Sequence, residues 1–117
     1  NGTKILSDRS AYSSVAYQGV GRKLGYEKIY QLNDIAVGGF WPEKVVLLDI
    51  DPFVSLDRQK VADRIGSDKI EFFQNIREGY LRLSKEFSKS FLVLDAENSL
   101  EDNLIRICNW LGIDKVK

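Results

Sequence analysis

Three short apolar runs are spaced along the chain: Lys4 to Ser7, Lys44 to Ile50 (KVVLLDI) and Ser90 to Asp95 (SFLVLD). The last two are solidly hydrophobic and do not alternate, which predicts strands covered on both faces, as in a parallel sheet. Between and after them, apolar residues recur at helical spacing. Tyr26 to Ala36 places Ile29, Leu32 and Ala36 on one face. Ile70 to Phe87 repeats Ile70, Phe73, Ile76, Tyr80, Leu83 and Phe87 at intervals of three and four, a long amphipathic helix. Asp51-Pro52 pairs an N-cap with proline at the first helical position. Ser99, followed three residues later by Asp102, opens a last helix that closes at Gly112. Strands alternating with helices in this order predict an α/β fold with parallel strands and right-handed crossovers. No internal repeat, low-complexity segment or linker interrupts the pattern, and the one hinge it predicts is Gly38-Gly39, ahead of Phe40-Trp41-Pro42.

Composition narrows the classes. A chain of 117 residues has the length of one domain, enough to bury somewhat under about 70% of its unfolded surface. Seventeen basic residues balance seventeen acidic ones, so no net field favours a polyanion, and nucleic acid is not an expected partner. Any phosphate binding has to be local. Cys108 is the sole cysteine and lies in an apolar helical pattern, where it reads as a small buried side chain. No apolar run approaches the roughly 20 residues of a membrane span, and Asn1-Gly2-Thr3-Lys4 does not begin a signal peptide, so a cytoplasmic protein is expected. The chain contains no methionine; either an initiator has been removed or the natural beginning lies upstream. Histidine is also absent, which removes histidine triads and histidine metal ligands.

Chemistry gathers where the strands end. Asp49 and Asp95 close the second and third strands and Asp8 follows the first, all on the edge where open α/β sheets bind ligands. Three strands are few for a sheet covered on both faces, which predicts that neighbouring strands are missing. Directly after the first strand, Ser7 to Gln18 packs a carboxylate, a guanidinium, hydroxyls and an amide into one stretch. The planar fork of Arg9 matches phosphate oxygens two at a time, and Ser13, Ser14, Tyr17 and Gln18 follow on adjacent helical turns. That set predicts a site for a phosphorylated ligand.

The string DRSAYSSVAYQG resembles the DRY-x-x-SS-x-AYQG signature of the thymidylate kinase family, which moves a phosphoryl group from ATP to dTMP. Gln18 to Arg22 matches the QGxGR that follows it. The resemblance implies that Arg9 holds the dTMP phosphate, that Asp8 belongs to the magnesium and phosphate network, and that Ser13 and Ser14 border the substrate. It places Ser14 toward the thymine base, Tyr17 against the deoxyribose and Gln18 beside that pocket. Ser10 stands where the signature carries an aromatic residue, a departure that touches packing more than the phosphate site. Further on, LDIDP, RQKVADRI and FFQNIREGYLRL follow the family's order of strand, lid and lid helix. Arg58 and Arg64 are implied as lid arginines, with Lys60 beside them. Gly66 replaces a glutamate usual in the family, so the catalytic arginine is not assigned to one position. The run Asp95-Ala96-Glu97-Asn98-Ser99-Leu100-Glu101 resembles the family's DA-x-x-S-x-E turn, which implies that Ala96 borders the adenine of the donor.

The implied architecture is a partial P-loop nucleoside monophosphate kinase-like fold: a parallel sheet flanked by helices, with N-terminal strands missing. Residues 1–43 carry the acceptor-site strand and helices, 44–89 a strand, short lid and lid helix, and 90–117 the last strand and helix. ATP as donor, Mg2+, dTMP and a homodimer follow from the same resemblance. No GxxxxGK[ST] loop occurs in these residues, so the cradle for the ATP phosphates is not among them, and the 117 residues alone are expected to transfer no phosphate. Two other classes stay open: a noncatalytic remnant that dimerises through its helices, and a relative acting on another deoxynucleotide or deoxynucleoside. Asp49-Ile50-Asp51 also invites a reading as the DxD of haloacid dehalogenase-type phosphatases, but Pro52 and Phe53 follow it, which favours Asp51 as a helix cap.

Overall fold

The computed structural model describes residues 6–54 and 67–113. Ser10 opens the first helix: its backbone is extended and its Oγ accepts from the Tyr12 amide at 3.2 Å, satisfying a donor that the first helical turn leaves unpaired. Helix α1 (Ala11–Ser14) runs directly into a π-helical segment, Val15–Gly21, that ends at Arg22. Helix α2 (Tyr26–Val37) begins after Gly25 and ends at Gly38, which is left-handed at φ 63°, a conformation that glycine adopts without a Cβ penalty. With Gly39 also at positive φ, the chain turns at the predicted hinge and enters strand β1 (Val45–Asp49).

After β1, Asp51 Oδ1 accepts from the Phe53 amide at 2.8 Å and a helical turn follows over 52–54, as expected of the Asp-Pro pair. Helix α3 (Ser67–Glu86), strand β2 (Phe91–Asp95) and helix α4 (Leu100–Leu111) complete the order. Ser99 Oγ caps α4 by accepting from the Asp102 amide at 3.1 Å, and Gly112 closes it in the left-handed region. The strands pair in parallel and in step, from Val45 opposite Phe91 to Asp49 opposite Asp95, so both aspartates stand side by side at the carboxyl edge. The Ala96 amide extends the ladder by one bond, to the Asp49 carbonyl at 2.8 Å.

The predicted first strand is not seen as one: Lys4 and Ile5 lie outside the described residues, and Leu6 and Ser7 are irregular. Leu6 is fully exposed, so nothing among the described residues pairs with it or covers it. The expected face of α2 is corrected too. Ile29 packs inward, but Leu32 and Ala36 are exposed, because the inward face is set by the aromatic residues Tyr26 and Tyr30. Tyr30 stacks on Trp41 with centroids 4.8 Å apart, and Tyr12 lies 4.6 Å from the same indole. Trp41 Nε1 in turn donates to Asp34 Oδ1 at 2.7 Å, so the segment after the glycines is fastened to α2.

The core under the site consists of Tyr12, Val15, Ala16, Tyr26, Ile76, Leu83 and Phe91. Here α3 lies against the π-helical segment at very short range. A Cβ on Gly79 would stand 3.0 Å from Ala16 Cα, and one on Gly21 2.7 Å from Ile76 Cγ1; glycine is what permits this approach. Cys108 is buried on α4 and unpaired, in keeping with its expected role as a small apolar side chain.

Candidate functional site

A cleft of about 950 Å³ runs along β1, from Lys44 to Ile50, bordered by α1 and α3. Its walls include Asp8, Arg9, Ser13 and Tyr17 from the start of the chain, Asp49 from β1, and Phe73, Arg77 and Tyr80 from α3. Arg9 has φ 77°, an uncommon conformation for a residue with a side chain. Its carbonyl accepts from Ser7 Oγ at 2.7 Å, which helps hold that backbone. The Arg9 guanidinium then sits 5.5 Å from the Tyr17 ring centroid, a cation–π arrangement, in a residue that is exposed and lines the cleft. Tyr17, chiefly through its hydroxyl, raises the pKa of Arg9 still further, so the cation is permanent. Strained backbone at a ligand edge is where functional groups concentrate.

Tyr80 crosses from α3 to meet this group. Its hydroxyl donates to Ser13 Oγ at 2.8 Å, and its ring stands edge-on to Tyr17 at 6.3 Å and 86°. Burial pushes the Tyr80 phenol up, only partly opposed by the Ser13 bond, so it remains a neutral donor through the physiological range.

Beside them Arg77 grips the strand end. Its Nε and Nη2 donate to Asp49 Oδ1 and Oδ2 at 2.9 Å each, and its Nη1 lies 3.5 Å from Asp51 Oδ2. The bonds to Asp49 raise the Arg77 pKa. This pairing bears on the phosphatase reading. A nucleophilic aspartate needs a free oxygen facing its substrate, whereas both oxygens of Asp49 are occupied and Asp51 serves as the cap at Phe53.

The residues expected from the sequence therefore separate. Asp8, Arg9, Ser13 and Tyr17 share the cleft. Ser14 turns toward α2, where its Oγ accepts from Asn33 Nδ2 at 3.2 Å, and Gln18 is exposed; neither lines the cleft. Arg58, Lys60 and Arg64 lie outside the described residues. Ala96 lines a smaller cleft of about 210 Å³ with Leu48, Asn98, Leu100, Asn103, Leu104 and Ile107, and Leu48 belongs to both walls. Among the described residues no group of three acidic or cysteine side chains converges as a ready metal site. Asp8, exposed beside Arg9 in the cleft, fits the one-carboxylate contribution typical of Mg2+ carried on phosphates.

The motif FFQNIREGYLRL contains Arg77 and Tyr80 without giving either a role. A signal existed for Arg77: it falls between Phe73 and Tyr80 on the apolar stripe of α3, and a cation on such a stripe calls for a partner.

The thymidylate kinase family model matches residues 1–107. A thymidylate kinase of Geobacillus thermodenitrificans is 37% identical over 106 residues, covering 86% of this chain and 47% of the relative. One from Caldanaerobacter subterraneus subsp. tengcongensis is 42% identical over 96 residues, covering 80% and 46%. A third, from Fervidobacterium nodosum, is 39% identical over 104 residues, covering 87% and 52%. The chain spans about half the length of these curated relatives. With the family model matching nearly all of its residues, and with Asp8, Arg9, Ser13 and Tyr17 of the signature sharing one cleft, the chain belongs to the thymidylate kinase family.

Proposed function

We propose that this chain carries the dTMP-binding side of a thymidylate kinase, an enzyme that in its full length transfers the γ-phosphoryl group of ATP to a phosphate oxygen of dTMP to give dTDP; the 117 residues by themselves are expected to bind the acceptor and transfer nothing. The observation that carries this reading is Arg9, at positive φ over Tyr17 and exposed in the wall of a cleft that runs along β1 to Asp49. A guanidinium so placed binds a phosphate monoester with two parallel bonds. Ser13 and Tyr17 line the same wall and suit the nucleoside. Ser14, fixed by Asn33, supports that wall from the α2 side, so the base contact that the resemblance implies for it is not carried by this arrangement.

Phosphoryl transfer is catalysed mainly by positioning and by cations placed on the migrating group. Asp8 would hold Mg2+, which when bound neutralises charge on the donor and acceptor phosphates. Arg58 and Arg64 would supply further positive charge from the lid, and Ala96 would border the adenine of ATP from the smaller cleft. The stretches 1–43, 44–89 and 90–117 then supply the acceptor-site strand and helices, a strand with the short lid and lid helix, and the last strand and helix. A cytoplasmic enzyme suits these substrates, and no described helix is long and apolar enough to cross a membrane.

Leu32 and Ile35 on α2 and Phe40 beyond it are 55%, 78% and 88% exposed, an apolar face suited to a second copy; the proposed enzyme is a homodimer through it. That same face favours the second reading, a noncatalytic dimerisation domain. Incubation of the full-length protein that carries this chain with dTMP, ATP and Mg2+ separates the two. Appearance of dTDP at turnover rates supports the kinase, and a dimer that produces none supports the alternative.

A further inference from the structure

We propose that Tyr80 is a positioning residue of the acceptor site, setting both the direction of the Ser13 hydroxyl and the stance of the Tyr17 ring. The inference rests on the dTMP reading and deepens it. Ser13 Oγ accepts a hydrogen bond from the Tyr80 hydroxyl at 2.8 Å. That bond occupies one acceptor position of the serine and leaves its own proton to be donated elsewhere, and both residues line the cleft. Ser13 is thereby biased toward the donor role that a phosphate or carbonyl oxygen needs. Without Tyr80 the hydroxyl loses that bias.

The ring does a second job. Tyr17 has the Arg9 guanidinium 5.5 Å from its centroid and the Tyr80 ring edge-on at 6.3 Å, so it is held from two directions by contacts of known preferred geometry. Tyr17 is the residue assigned to the deoxyribose, where a small displacement decides whether a 2′-hydroxyl fits. The depth at which Tyr80 enters is set next door. At Gly79 the absent Cβ lets α3 approach Ala16 and Val20 so closely that a methyl would stand 3.0 to 3.2 Å from their atoms. Tyr80 thus arrives on a rigid helix, registered against the π-helical segment that carries Tyr17.

The two jobs come apart under substitution. Tyr80→Phe keeps the ring and removes the hydroxyl; Tyr80→Leu removes both. In the intact protein, steady-state kinetics with dTMP and with its ribonucleotide counterpart read the difference. For Tyr80→Phe the expected result is a KM for dTMP raised about 3- to 10-fold, the worth of one neutral hydrogen bond, with kcat and sugar preference within about twofold. For Tyr80→Leu the preference for deoxyribose over ribose should fall at least about fivefold as well. Ser13→Ala combined with Tyr80→Phe should cost no more than the larger single change, because the pair shares one bond. If Tyr80→Leu fails to fold, the Ser13 and Tyr80→Phe cycle decides alone. Unchanged KM in Tyr80→Phe, or strictly additive losses in the double variant, overturns the inference. A wild-type protein that turns over other nucleotides but not dTMP overturns the dTMP reading itself, and this inference with it.

Discussion

Arg77 holds both carboxylate oxygens of Asp49, through Nε and Nη2 at 2.9 Å each, and so joins the middle of α3 to the ligand edge of β1. The pair is partly sheltered, with side chains 35% and 20% exposed, and Asp51 leans on the same guanidinium. Removing the cation leaves two carboxylates facing each other at the end of a strand. Arg77→Met should therefore destabilise the protein by about 1–2 kcal/mol, below the cost for a fully buried pair because solvent screens this one. Arg77→Lys should recover less than half of that, since an ammonium cannot bond both oxygens in the same plane. Urea denaturation midpoints measure both; equal midpoints for wild type and Arg77→Met would remove Arg77 from the account of the fold.

The seam between α3 and the π-helical segment gives a test whose sign is informative. In an exposed helix interior, glycine to alanine stabilises by about 0.5–1 kcal/mol. At Gly79 the new methyl would meet Ala16 Cα at 3.0 Å and Val20 Cβ at 3.1 Å, and overpacking of this kind costs about 1–3 kcal/mol. The clash outweighs the propensity, so Gly79→Ala should lower the denaturation midpoint. A midpoint at or above wild type would show that the seam is looser than described.

Both strands, α3, α4 and the Ser99 and Asp51 caps were legible because each is written in local pattern: solid apolar runs, three-and-four spacing, a hydroxyl or carboxylate at the right offset. The inward face of α2 was not. Leu32 outranks Tyr30 in hydrophobicity, yet Tyr30 is the residue with neighbours, stacked on Trp41 and on Phe87, and those partners come from distant parts of the chain. The π-helical winding of Val15–Gly21 is equally a product of tertiary packing, since Gly19 and Gly21 by themselves read only as turn or helix-end glycines. At the site, Asp8, Arg9, Ser13 and Tyr17 were legible as a motif. That Ser14 would turn to Asn33, and that Arg77 would occupy Asp49, depended on helices brought together from 19 and 28 residues away.

The tyrosines set a pH limit. Burial first, with nearby acidic groups adding to it, raises the pKa of Tyr12, Tyr26 and Tyr30 above the ordinary 10.0, and burial likewise raises that of Tyr80. Tyr26, which also donates to Glu86, moves furthest. In the folded protein these phenols hold their protons more tightly than in the unfolded chain. Their contribution to stability is therefore complete below about pH 10 and declines as pH rises above it. Phenolate absorbance should lag behind that of the urea-unfolded chain and then rise together with loss of helical circular dichroism. Coincident titration curves for folded and unfolded protein would contradict this.

The most direct test of the acceptor assignment is the catalytic efficiency of Arg9→Ala toward dTMP, measured in the intact protein with saturating ATP and Mg2+. Arg9 is exposed and its aromatic contact is with Tyr17 at the edge of the core, outside the buried cluster, so the fold should survive the change. A fall in kcat/KM of at least about two orders of magnitude is expected for loss of a charge-assisted phosphate fork. An Arg9→Ala protein with near-normal efficiency would contradict the account at its centre.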